Sequence, residues 1–236
     1  MRHLQIAEWG VLPYLVLVLF VAGTAWRYHY DRFGLTTRSS QLHESRLLSV
    51  GGPVFHFGLL FVIAGHVVGM LVPEGVTERL HVPESAYRLN ALLVGGLAGL
   101  ATVIGLAILL WRRLGVPAVR RATSRSDGVL YPVLGTVLLA GLWTTLVGSA
   151  TSAYDYRLGV SVWFRSLFTL QPNVPAMAHA PLVFQLHTML GMALFTLWPF
   201  SRLVHAFAAP VGYLLRPYIV YRSRGGNTPA DHGATR

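Results

Sequence analysis

The sequence predicts an all-α integral membrane protein of five transmembrane helices, with its N-terminus outside and its C-terminus cytoplasmic. Three observations lead there. The 236 residues are 53% hydrophobic and only 12% charged, whereas a soluble domain carries about 25% charged residues. The missing charge is absent from five long segments and gathered between them. The arginines are divided unevenly between the two sets of connections.

The five segments run from about Trp9–Trp26, Pro53–Val72, Leu89–Trp111, Val129–Ala150 and Pro181–Phe200. Each is close to the roughly 20 apolar residues that a bilayer-crossing helix needs. Pro53 suits a first helical turn, and Pro73 stops the second helix. Pro199 is expected to kink the fifth helix and Pro210 to end it. Trp9, Trp26 and Trp111 fall where amphipathic rings favour the membrane interface. The first segment resembles a signal peptide, with Arg2, an apolar run and small residues at Ala22 to Thr24. Cleavage there would leave Arg27 to Arg46 outside, so the segment reads as an uncleaved span. The domain reading is one five-helix membrane domain over residues 1–222 and a flexible cytoplasmic tail over 223–236, rich in Gly, Asn and Pro.

Orientation comes from the arginines. The first connection, the third connection and the tail hold 14 of the 19 arginines. The N-terminus and the other two connections hold Arg2, Arg79, Arg88, Arg157 and Arg165. The rich side is the cytoplasmic one. The net charge of +10 is carried by arginine alone. These arginines flank apolar spans rather than forming a soluble basic face, so the partner is the lipid bilayer and not nucleic acid. The chain has no cysteine. Disulfides, Cys-ligated iron–sulfur clusters and a covalently attached haem are therefore excluded.

Ten histidines remain as strong transition-metal ligands. Four of them, His56, His66, His187 and His205, lie in or at the edge of apolar helices. An ionisable residue within a span marks a functional site. The second helix runs outward and the fifth runs inward, so depth pairs His66 with His187 and His56 with His205. Two neutral imidazoles on opposite faces of an iron porphyrin hold a low-spin, electron-carrying haem without cysteine. The expected cofactors are two b-type haems, the outer iron on His66 and His187 and the inner on His56 and His205. On straight helices His56 to His66 spans about 15 Å and His187 to His205 about 27 Å. Tilt and kinking at Pro199 have to absorb that difference. Gly58, Gly65, Gly69, Gly95, Gly96 and Gly99 either admit a flat macrocycle or serve plain helix packing. Arg112, Arg113 and Arg202 either pair with haem propionates or anchor helix ends.

The stretches Trp26-Arg27-Tyr28, Ser39-Ser40-Gln41, FHFGLLFVIAGHVVGML (Phe55 to Leu71), FQLHTMLGMALF (Phe184 to Phe195) and PFSRLVHAFAAPVGYL (Pro199 to Leu214) carry a family resemblance. The chain resembles the gamma subunit, a di-haem cytochrome b, of membrane-bound respiratory nitrate reductase, over nearly its whole length up to about Arg222. The last three stretches hold all four ligand positions. The resemblance implies quinol oxidation near the outer haem, electron transfer to the inner haem, and onward transfer to an iron–sulfur subunit and a molybdenum catalytic subunit in the cytoplasm that reduces nitrate to nitrite. It places the chain in a bacterial or archaeal cytoplasmic membrane and implies no catalytic residue beyond the electron carriers. The family's quinol pocket is associated with a lysine after the second helix. This chain has no lysine, and the place falls near Ala86 to Arg88. The expected quinol site is Gly65, His66, Gly69 and Arg88, with Glu84 or a haem propionate nearby. Two alternatives stay open. One is the cytochrome b of a sulfite-reductase-linked or heterodisulfide-reductase-like complex. The other is a haem-free membrane anchor or transporter.

Overall fold

The computed structural model describes residues 2–31, 44–148 and 154–208. Pro210 and the expected tail at 223–236 lie outside them. Among the described residues all regular structure is helical. Five helices are long and apolar enough to cross a membrane: α1 (Arg2–Tyr30), α2 (Arg46–Leu71), α3 (Glu84–Gly115), α4 (Arg125–Val147) and α5 (Leu182–Phe200). Large apolar side chains such as Leu17, Phe57, Phe61, Leu97 and Leu139 are exposed along them. This is a multi-pass membrane protein, and lipid is the solvent those faces require. The connections divide between two ends, named here after the histidines nearest them: the His66 end and the His56 end.

Prolines shape the helices more finely than expected. Pro53 lies inside α2, not in its first turn. A proline ring normally clashes with the Cβ of the residue before it; Gly52 has none, so the helix runs through. Pro13 lacks an N–H, so it cannot bond the Trp9 carbonyl four residues back. That stretch relaxes into a π turn over Ala7–Val11. The freed Trp9 carbonyl accepts the Trp163 indole N–H at 2.7 Å. Trp9 and Trp163 meet edge-to-face and, with Val160, Met177 and Met192, form the core of the His66 end. Pro199 ends the fifth α-helix instead of kinking it. The α-helical hydrogen bonding stops at Leu197, a 3-10 turn covers Trp198–Phe200, Ser201 is extended, and a second 3-10 turn covers Arg202–Ala208.

Most of the glycines are packing devices. A Cβ on Gly58 would lie 2.7 Å from the Thr102 hydroxyl, and one on Gly105 would lie 2.4 Å from the Phe55 nitrogen. Bare backbone at these two places lets α2 and α3 run in close contact. Phe55, Leu106, Leu130, Leu134, Val137 and Leu194 form the second core, joining α2 to α5 through α3 and α4.

Candidate functional site: two histidine pairs across a cleft

α2 packs along α3, while α5 packs on α1 and α4. The second and fifth helices therefore stand on opposite sides of a cleft, and the four histidines reach across it. His66 and His187 have ring centres 6.0 Å apart, tilted by 39°. His56 and His205 have ring centres 6.2 Å apart, at 77°. The pairs are those expected from depth.

The break at Ser201 resolves the mismatch in length. His187 to Leu197 covers about 15 Å of helix, as does His56 to His66. Beyond Leu197 the chain turns and brings His205 back to the level of His56. Support for this turn comes from α1: Gly23 lies bare against Pro199 and Phe200, and Arg27 donates to the Pro199 carbonyl at 3.1 Å.

Three of the four rings have a fixed tautomer. His56 Nδ1 meets the Gly52 carbonyl and His66 Nδ1 the Val62 carbonyl, both at 2.8 Å. His205 Nδ1 meets the Arg202 carbonyl. A carbonyl only accepts, so each Nδ1 carries the proton and each neutral ring presents the lone pair of Nε2. His187 differs. Its Nδ1 is buried without a hydrogen bond, and its ring lies on the bare backbone of Gly141 in α4, where a Cβ would sit 2.8 Å from Cε1.

The separations fit a metal shared by two trans imidazoles. A metal–nitrogen bond of about 2.0 Å, plus about 1.1 Å from that nitrogen to the ring centre, puts such rings about 6.2 Å apart. Among the described residues no cluster of three or more His, Asp or Glu could hold an ion. A porphyrin supplies the other four ligands itself, so paired imidazoles meet its need. Gly65 on α2 and Gly191 on α5 face open space, where a flat ring meets no side chain. Gly69 does not: the Tyr156 hydroxyl sits 3.1 Å from where its Cβ would be. Gly96 and Gly99 pack on Leu146 and Leu142.

Arg112, Arg113 and Arg202, at the His56 end, have carboxylate partners within the chain. Arg112, nearly buried, bonds Glu44 at 2.6 Å through Nε. Arg202 grips Asp127 through Nε and Nη2, the latter at 2.8 Å. Arg113 reaches the same carboxylate at 3.3 Å. Asp127 is fully buried and also closes a capping box with Ser124 at the start of α4. It thereby fixes Arg202, whose own carbonyl orients His205.

At the His66 end a small pocket opens beside the first pair. Its walls are Glu84, Tyr87 and Arg88 of α3, Tyr154, Asp155 and Tyr156 of the connection before α5, and Phe184, one turn ahead of His187. Tyr156 stacks on Phe184 at 6.5 Å and shares a 3.1 Å hydrogen bond with the Tyr87 hydroxyl. Burial, and then that hydrogen bond, push the Tyr156 hydroxyl far above its ordinary value. Arg157 is 2% exposed; it bonds Glu84 at 2.9 Å and Thr77 at 2.6 Å and lies 4.0 Å over the Tyr87 ring. Of the expected quinol-site residues, Arg88 lines this pocket while Gly65 and His66 lie below it on α2. The sequence reading missed Gly141, Gly191, Asp127, Tyr156 and Arg157. Only Asp127 left a signal, in the Ser124-x-x-Asp127 capping pattern.

The comparisons with known proteins agree with one another. Residues 5–224 match the model of the nitrate reductase gamma subunit family. The nitrate reductase gamma chain of Bacillus subtilis is 42% identical over 92% of this chain and 97% of its own length. The respiratory nitrate reductase 2 gamma chain of Escherichia coli is 33% identical over 94% and 99%. The nitrate reductase-like protein NarX of Mycobacterium tuberculosis is 51% identical over 92% of this chain, which spans only 33% of that protein's length. With residues 5–224 matched, a range that takes in all five helices and both histidine pairs, the chain belongs to the nitrate reductase gamma subunit family.

Proposed function

We propose that the chain is the membrane anchor and quinol-oxidising di-haem cytochrome b of its nitrate reductase, set in a bacterial or archaeal cytoplasmic membrane. The observation that carries this is the pair of histidine bridges at 6.0 and 6.2 Å across one cleft. His66 and His187 would hold one b-type haem and His56 and His205 the other. Each haem supplies a one-electron carrier, and two in series give a route from quinol at one face to iron–sulfur and molybdenum subunits at the other. Orientation follows the arginines: the His56 end is cytoplasmic and the His66 end is outside.

The chain's own residues do the rest. The Nδ1–carbonyl bonds keep His56, His66 and His205 neutral and aimed, which raises their basicity as ligands. Gly65, Gly191 and Gly141 leave space for the macrocycle and for the His187 ring. Quinol binds in the pocket beside His66, where Arg88 orients its ring and stabilises developing negative charge; as an arginine it takes no proton. Arg112 and Arg202 line the cytoplasmic end, held by Glu44 and Asp127, and would supply positive charge to a haem propionate there. Releasing protons outside while electrons leave inside separates charge, at about 2.3 kcal/mol per charge against 100 mV.

The test is to purify the assembled complex, count haems by pyridine extraction and replace each ligand. His66→Ala or His187→Ala should remove one haem and stop quinol oxidation. His56→Ala or His205→Ala should remove the other and block transfer to the partner subunits. Two haems surviving all four substitutions would refute the assignment.

A further inference from the structure

We propose that Glu84, held by Arg157, accepts the protons that leave quinol at the outer face. This rests on the quinol-oxidising reading above and deepens it. When quinol becomes quinone, two O–H bonds break and two carbonyls form. Two electrons pass, one at a time, to the one-electron iron acceptor between His66 and His187. Two protons are left, and they need a base in the pocket.

The walls offer few. The two histidines use their Nε2 lone pairs as ligands and donate or bury Nδ1. Arg88 and Arg157 are arginines, which hold their protons throughout. Tyr87, Tyr154 and Tyr156 are phenols. Burial pushes the Tyr154 and Tyr156 hydroxyls further up, away from the anionic form. The pocket's two carboxylates remain. Asp155 is committed to its own turn, where Oδ1 accepts the Arg157 backbone N–H at 2.8 Å. Glu84 is placed as a proton exit requires. One side of it lines the pocket, and its side chain is 44% exposed, so the other side meets water.

Arg157 explains how an acidic residue stays fixed at such a boundary. Its guanidinium is almost wholly buried and bonds Glu84 through Oε2, which leaves Oε1 without that partner. The same cation lies under Tyr87, one helical turn from Glu84 on the same face of α3. Arg157 is thus a positioning residue for both Glu84 and Tyr87. The charged and titratable groups around Glu84 are Arg157, Arg88 and Tyr87, with Asp155, Tyr154 and Tyr156 across the pocket.

The experiment uses the whole complex with its partner subunits. Glu84→Gln keeps the size of the side chain and one oxygen that can still accept from Arg157, but removes the base and its charge. General-base catalysis is worth about 100- to 10,000-fold, so quinol oxidation should fall at least about 100-fold. Both haem spectra and nitrate reduction from an artificial donor should persist. Glu84→Asp, which puts a carboxylate back on a shorter side chain, should restore part of the rate. Affinity for a non-oxidisable hydroxyquinoline, a binding readout apart from turnover, should be weaker in Glu84→Gln than in the parent, because the amide replaces the carboxylate that accepts the ring hydroxyl. A Glu84→Gln complex with the parent's rate overturns the proposal, and so does loss of haem from it, which would make Glu84 structural. Asp155→Asn giving the larger loss would overturn it in favour of Asp155. A parent complex that oxidises no quinol would refute the underlying reading as well, so the two failures are distinguishable.

Discussion

Gly141→Ala tests the outer haem site without touching a ligand. The His187 ring rests on the bare backbone of Gly141, and an added Cβ would lie 2.8 Å from Cε1 and 3.4 Å from Nε2. Carbon atoms pack comfortably at about 3.5–4.0 Å, so the ring has to retreat by about 0.7 Å or more. A free side chain would yield cheaply, but this ring is aimed at a partner 6.0 Å away. Overpacking of this kind costs about 1–3 kcal/mol. At 1.4 kcal/mol per factor of ten, that is a haem affinity about 5- to 150-fold weaker. Pyridine extraction and low-temperature α-band spectra should show the outer haem depleted and the inner haem intact. Gly135→Ala in the same helix is the control, because a Cβ there meets nothing within 4 Å. It should be neutral or gain up to about 1 kcal/mol from helix propensity. Two haems of unchanged affinity in Gly141→Ala would show that His187 does not bind where the structure aims it.

Three further outcomes follow from the same geometry. Asp127→Asn removes a fully buried carboxylate shared by Arg113 and Arg202; breaking such a pair costs about 3–5 kcal/mol, and the inner haem on His205 should loosen while the outer one stays, as read by haem counting. Glu44 is a pH-dependent latch: the Leu47 N–H, opposed by burial and reinforced by Arg112, holds its carboxyl below the ordinary value of 4.5. A depressed carboxyl stabilises the fold above its unfolded value and loses that contribution as pH falls through the lowered one. Proteolysis near the start of α2 should therefore increase in acid in the parent, and Glu44→Gln should abolish that dependence. For topology, a reporter fused after Arg222 should be cytoplasmic and one placed between Tyr154 and Ala180 should be outside; the reverse would put the quinol pocket on the wrong face.

What the sequence discloses is governed by how local its physical cause is. Lipid demands about 20 apolar residues per crossing, a constraint each span meets alone, so all five were legible. Depth pairing needed only that α2 and α5 run antiparallel, and both histidine pairs met. The length of the fifth helix was not legible. Pro199 marks a disturbance, but whether it kinks or ends a helix depends on what receives the freed backbone, here Gly23 and Arg27 of α1. Pro53 shows the converse, where one bare neighbour lets the helix continue. The glycines were ambiguous for the same reason: Gly58 and Gly65 read alike in sequence, yet one abuts Thr102 and the other abuts nothing.

Arg157 carries this further. By its position it reads only as one of five arginines on the sparse side. In the fold it is buried and joins Thr77, Glu84 and Tyr87, residues seventy or more positions away. A buried cation without a partner costs several kcal/mol, so its partners are obligatory once the fold puts it there. The connection before α5 and the start of α3 are therefore fastened together by charge. The pocket between them is lined by Phe184, one helical turn before His187. One ion pair thus fixes both the wall of the outer pocket and the acidic group through which its protons leave.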